Sequence, residues 1–146
     1  LLDHDWDLMI AHPPCTYLCS SGLHWNTKIA GRADKTLAAA EFVTKLWESG
    51  IPRICIENPV SLISSRIRKP DQYIQPWEHG HGETKKTGLW LKNLPKLVPT
   101  DVVDGREPRV HMMPPSKDRW KLRSTTYQGI ADAMAMQWGL KQLAPV

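Results

Sequence analysis

Four apolar residues in a row, Leu8-Met9-Ile10-Ala11, stop at His12-Pro13-Pro14, and Cys15 comes at once after them. A short apolar run closed by prolines predicts a buried strand whose far end opens into a loop. The paired prolines fix φ and bias the residues before them toward extended backbone, so the loop leaves the strand stiffly. Farther on, Leu37, Ala40, Phe42, Val43, Leu46 and Trp47 recur at three- and four-residue intervals. That period predicts an amphipathic helix over 34–49, with Asp34 as N-cap and Gly50 and Pro52 closing it. Arg53-Ile54-Cys55-Ile56 then predicts a second strand, ending in Glu57-Asn58-Pro59. Strand, helix, strand is a βαβ unit, so the two strands are expected to lie side by side and parallel, with the helix on one face. Cys15 and Glu57-Asn58 then share the carboxyl edge of the sheet, where open α/β folds bind ligands.

The rest of the chain is less periodic. Residues 61–69 read as a short helix or turn, 70–76 as irregular, and 77–86 as a glycine- and histidine-bearing loop before a third strand at 87–91. Breakers at Pro95, Pro99, Gly105 and Pro108 make 93–110 a loop with at most one short strand. A closing amphipathic helix is expected over 126–140, burying Ile130, Ala133, Met134 and Trp138. The fold class expected is α/β with a mostly parallel sheet.

Composition narrows this only in places. A length of 146 residues suits one domain, read as 1–146, and no apolar run reaches the ~20 residues of a membrane helix. The three cysteines lack a disulfide-style spacing, which points to a reducing cytoplasm. His79 and His81 beside Cys15 and Cys19 lack the paired spacing of zinc sites, and no metal is expected. A net charge of +4 and a pI near 9.1 are compatible with an anionic partner. Two clusters would meet it, Arg66, Arg68 and Lys69, and Lys117, Arg119 and Arg123 around Trp120. Each has a bland alternative as a solvated face. Cys15 has one too, since cysteine is often a small buried hydrophobe, and Glu57 could simply cap the next helix.

Pro13-Pro14-Cys15 at a strand end, with Gly22 beyond it, resembles the catalytic Pro-Cys loop of cytosine-C5 DNA methyltransferases. Glu57-Asn58-Pro59 resembles that family's Glu-Asn-Val motif, in the same order and at a similar distance. The stretch 80–91 has the layout of its Gln-x-Arg-x-Arg segment, with Glu83, Lys85 and Thr87 at the polar positions. The helix after Ser124-Thr125-Thr126 resembles the last motif, which packs beside the cofactor. The strings HPPCTYLC, ENP and GHGETKKTGLWL are similar to those of short phage and prophage proteins labelled DNA cytosine methyltransferase-like, so the resemblance covers nearly all of the chain.

The resemblance implies a Rossmann-like methyltransferase fold and a pyrimidine-C5 methyltransferase acting on DNA or a nucleotide in a bacterial or phage-infected cell. Cys15 would add to C6 of the base, Glu57 would stabilise the ring at N3, Asn58 would hold the loop or base edge, and Lys85 would favour the thiolate. S-adenosylmethionine would be the methyl donor, with Pro13, Pro14 and Thr126 beside it. The family's glycine-rich first motif lies upstream of its Pro-Cys loop, so an N-terminally incomplete version is expected, with the cofactor site incomplete. Thr16 stands where the family has glutamine, Thr87 replaces an arginine, and no target-recognition domain is visible. The alternatives are a non-catalytic nucleic-acid or nucleotide-binding domain on the same scaffold, and a structural domain with buried cysteines.

Overall fold

The computed structural model describes residues 1–139 and shows a mixed α/β chain with an open four-stranded sheet. The strands are β1 (Leu8–Ala11), β2 (Arg53–Asn58), β3 (Gln72–Ile74) and β4 (Thr87–Lys92), in the order β1-β2-β4-β3. β1 and β2 are parallel neighbours, Leu8 beside Arg53 and Ala11 beside Ile56, as the βαβ pattern requires. β4 runs antiparallel to β2, with Ile56 opposite Trp90 and Asn58 opposite Gly88. The sheet is mostly antiparallel with one parallel pair, which corrects the mostly parallel expectation. The cause lies between β2 and β4. Parallel strands are usually joined by a packed crossover helix, whereas this connection holds only the four-residue helix α2 (Ile63–Arg66), the edge strand β3 and a short 3-10 turn.

The helix α1 spans Arg32–Trp47. It starts two residues before the expected Asp34, which sits in its first turn, while Gly31 precedes it at φ 77°. Its buried stripe is Thr36, Ala40, Val43 and Leu46. Leu37 and Phe42, expected in that stripe, are 50% and 49% exposed. Each lies one residue, about 100° of helix, outside the row that faces the sheet. Gly50, at φ 83°, turns the chain back toward β2. The core packs the stripe on Ile54 and Ile56 of β2, Trp90 of β4, and Leu18, Ile51 and Ile63. Strand alternation puts Ile54 and Ile56 on the α1 side and Cys55 and Glu57 on the other.

The described chain divides into two compact units, one of residues Leu1–Tyr73 and Thr87–Leu94, the other of Ile74–Lys86 and the described residues from Pro95 onward. In the second unit are α3 (Arg109–Met112), α4 (Arg119–Ser124) and α5 (Gln128–Trp138). α5 buries Ile130, Ala133, Met134 and Trp138 as expected, and the indole of Trp138 donates to Pro95 O at 3.0 Å. Leu140, the expected end of this helix, lies outside the described residues. Region 93–110 is largely loop, joined to the 77–86 segment by isolated bridges, His79 with Asp101 and Glu83 with Glu107. Among the described residues no helix is long and apolar enough to cross a membrane.

Replacing Ile56, with no exposed surface, by alanine is expected to cost about 2–5 kcal/mol, as buried large-to-small changes do. Phe42→Ala, on the exposed side of α1, is expected to cost less than about 1 kcal/mol. Urea denaturation monitored by tryptophan fluorescence checks both.

Candidate active site

The parallel register of β1 and β2 does not stop at the last paired residues. Ala11 lies beside Ile56, and one step on, His12 Nδ1 donates to Glu57 Oε2 at 2.8 Å. One step further, Asn58 Nδ2 donates to Pro13 O at 2.9 Å, in a buried hydrogen bond. Both contacts keep the offset of 45 residues that the strands set. The histidine before the prolines and the acid after the apolar run are thus register neighbours, and the Pro-Cys segment is stitched to the Glu-Asn segment. A proline carbonyl is a natural place for this stitch, because proline can accept but not donate. His12 and Glu57 remain reachable, their side chains 34% and 20% exposed. Asn58 is almost wholly buried, and its Oδ1 has no hydrogen-bond partner.

Beyond the prolines, the chain turns tightly at Cys15, whose carbonyl accepts from the amides of Leu18 at 3.0 Å and Cys19 at 2.8 Å. Leu18 plugs into the core. Two elements then hold the loop. From α1, Arg32 Nη2 donates to Thr16 O at 2.9 Å and Thr36 Oγ1 donates to Tyr17 O at 2.9 Å. From the segment after β2, Leu62 N donates to Leu18 O, and Ser20 N donates back to Val60 O. Gly22 belongs to this arrangement, since a Cβ there would stand 3.1 Å from Arg32 Nη2. Cys15 is half-buried, and none of the three cysteines forms a disulfide. Cys55 lies within β2 with no exposed surface; burial first, then the charges of Glu57 and Asp71, push its thiol far above the usual range. It stays protonated and out of reach of solvent.

Cys15, Glu57 and Asn58 therefore leave one edge of one parallel pair. Of the other expected site residues, Pro13 and Pro14 lie in the same loop, and Lys85 and Thr126 are in the second unit. There the Lys85 ammonium donates to Arg123 O at 2.7 Å and lies 5.9 Å from the Tyr127 ring centre. Arg68 is a structural cation, ion-paired with Asp71 at 2.9 Å, donating to Leu91 O at 2.7 Å and lying over Trp47. Arg66 reaches Thr44 at 3.3 Å, and Lys69 is exposed. Lys117 and Arg123 are exposed, while the Nε of Arg119 is buried without a hydrogen-bond partner. His12 was absent from the sequence candidates. The signal was there, since extending the strand register by one residue sets it beside Glu57.

The side chains of the GHGE segment, within the second unit, are taken up by hydrogen bonds and an ion pair. His79 Nδ1 lies 2.9 Å from Thr100 Oγ1, and His81 Nε2 accepts from Gly129 N at 3.0 Å. No cluster of three or more metal-binding side chains occurs among the described residues. Glu83 takes Arg109 Nε at 2.7 Å and the Tyr127 hydroxyl at 2.5 Å. Burial opposes its ionisation, but the hydrogen bonds from Arg109 and Tyr127 and the charges of Arg109 and His81 hold its carboxyl below the usual range. Burial and the Glu83 bond push Tyr127 up to about 12.

The resemblance puts a donor such as adenosylmethionine on a strand that opens through a glycine turn into a helix, and no such turn occurs among the described residues. Gly31, Gly50 and Gly80 have positive φ, yet none links a strand to a helix. Pro13 and Pro14 have no N–H to offer, and the Pro13 carbonyl is already taken by Asn58. No protein-family model matches the chain, and no curated protein matches it.

The lowered Glu83 carboxyl contributes stability that is complete above the ordinary carboxylate range and is lost as pH falls through it toward the folded value. The raised Tyr127 hydroxyl contributes stability that is lost as pH rises from about 10 toward about 12. Glu83→Gln is expected to cost about 1 kcal/mol at pH near 7, the half-exposed Arg109 being screened by solvent, and the deficit should close in acid. Urea melts across pH check this; a deficit that persists unchanged in acid would show that the charge of Glu83 contributes nothing.

Proposed function

We propose that this chain carries the base-reacting portion of a pyrimidine-C5 methyltransferase of the cytosine-C5 DNA methyltransferase type, on a Rossmann-like β1-α1-β2 scaffold. The observation that supports this most is the stitched register, His12 to Glu57 and Asn58 to Pro13, which joins the Pro-Cys loop to the Glu-Asn strand end. Those two motifs must cooperate if a sulfur is to attack one side of a pyrimidine while an acid supports the other.

C5 of cytosine is a weak nucleophile. Addition of the Cys15 thiolate to C6 removes the aromaticity, moves an electron pair toward N3 and makes C5 an enamine carbon. Glu57, steadied by His12, holds a proton or hydrogen bond at N3, where that charge collects. Asn58 is a positioning residue, since its amide fixes the carbonyl two residues before the cysteine. The turn at Cys15 and the Arg32 and Thr36 bonds keep the sulfur from wandering, which reduces the entropy to be lost on attack. In duplex DNA the base would have to leave the stack to reach such a loop. The methyl group is expected from S-adenosylmethionine, and the roles assigned to these residues are confined to the base.

That confinement suggests a test that needs no donor. Reversible addition at C6 lets C5 pick up a deuteron from heavy water; loss of the original C5 proton to solvent and expulsion of the Cys15 thiolate then return a cytosine labelled at C5. Incubating the protein with a deoxycytidine oligonucleotide in heavy water should produce this exchange, read by mass spectrometry. Cys15→Ser should abolish it, Cys55→Ser should preserve it, and His12→Gln should slow it about ten-fold or more. No exchange by the unaltered protein, or undiminished exchange by Cys15→Ser, would favour a binding domain without chemistry.

A further inference from the structure

We infer that the segment directly after the Cys15 loop is a stacking platform for single-stranded DNA, built on Tyr17 and Trp25 and flanked by Lys28, Arg32 and Lys35. The reading rests on the proposed function only for which nucleotide lies at Cys15; the binding surface itself is argued from the residues.

Residues Ser20–Thr27 form a 3-10 helix with no buried residue. An eight-residue element that contributes nothing to the core still holds its shape, through Lys28 N and Ile29 N on Trp25 O and through the Thr36 hydroxyl shared by Tyr17 O and Asn26 Oδ1. It presents Trp25 with 45% of its surface exposed. Indoles usually bury most of their large area, so a fixed, half-exposed one is a ready surface for a flat apolar partner. His24 lies against it at 4.7 Å between ring centres, and the Lys28 ammonium stands 5.3 Å from its centre. Tyr17, two residues after Cys15, has Arg32 at 5.0 Å and Lys35 at 5.7 Å from its ring centre.

The charge is one-sided. Between His12 and Ala33 there is no Asp or Glu, and Asp34 is the first acid after Asp7 in the sequence. Rings that alternate with cations, in a segment with no acid of its own, match a strand whose bases stack and whose phosphates need neutralising. A neutral protein partner would leave the cations unmatched, an acidic one would pair with the cations without calling for the exposed indole, and a membrane surface would not need the two separated rings. The platform also has a fixed relation to the candidate nucleophile. The Arg32 and Thr36 bonds that hold Thr16 O and Tyr17 O come from the same helix that fixes Asn26, next to Trp25. A nucleotide beside the one at Cys15 therefore meets Tyr17 first and Trp25 beyond it.

The test is a titration of the full chain with a fluorescently labelled deoxycytidine oligonucleotide of about twelve nucleotides, read by anisotropy over a range of salt. Trp25→Ala is expected to weaken binding about ten-fold or more, and Trp25→Phe should restore most of it. Lys28→Gln combined with Lys35→Gln should flatten the salt dependence by about 1.4 in the logarithmic slope. Unchanged affinity in Trp25→Ala, a loss confined to Lys117→Gln with Arg123→Gln, or no binding by the unaltered protein would overturn the platform. Lost exchange with Trp25-dependent binding intact refutes the chemistry alone. Exchange that survives alongside Trp25-independent binding refutes the platform alone.

Discussion

The buried hydrogen bond from the Asn58 amide to the Pro13 carbonyl is the constraint on which the first unit's functional edge depends. Without it, two loops would leave neighbouring strands and diverge. With it, the parallel ladder is continued by side chains after the backbone ladder has ended. Proline makes this necessary as well as possible. Pro13 and Pro14 supply no N–H for further pairing, so the ladder can advance only if the neighbouring strand reaches across with a donor of its own. Asparagine does so at the cost of a buried, unpartnered Oδ1, a cost of a kind that natural proteins often accept near functional groups.

The same constraint separates the two faces of the sheet. The face with Ile54 and Ile56 packs on α1 and supplies the cohesion of the unit, and Trp90 completes it from β4. Cys55 and Glu57 belong to the other face, so the core row and the row that meets His12 are alternate residues of one six-residue strand. Trp90 also disposes of its polar atom locally, donating its indole N–H to Arg68 O at 2.6 Å. The residue that looks like part of a basic patch thus serves the core from below, through both its carbonyl and its guanidinium.

Elements set by local sequence were legible before any coordinates. β1, the body of α1, β2 and α5 all come from the spacing of apolar residues, and the parallel pairing of β1 with β2 comes from the helix between them. The direction of β4 was not legible, because a strand's period carries no sign and its partner is distant in sequence. The inward row of α1 was misjudged at Leu37 and Phe42, where hydrophobicity alone does not say which residues meet the sheet. The 3-10 helix after Cys19 has no period to detect. Cys15, Glu57 and Asn58 were readable as an edge cluster, whereas His12 needed the register and Arg68 needed knowledge of Trp47 and Leu91 across the fold. Lys85 and Thr126 were linked to Cys15 only through a family pattern, and they belong to the other compact unit.

The placement of the sulfurs has a consequence for how the molecule ages. Cys55 has no exposed surface and keeps its proton, while Cys15 and Cys19 sit half-buried in the loop. Peroxide and alkylating agents attack thiolates that they can reach. Oxidative damage is therefore directed away from the sheet and onto the loop, so a population exposed to oxidants keeps its packed framework while its loop is chemically spent. Thiol titration under native conditions would count such losses at the loop, with the sheet cysteine appearing only after denaturation.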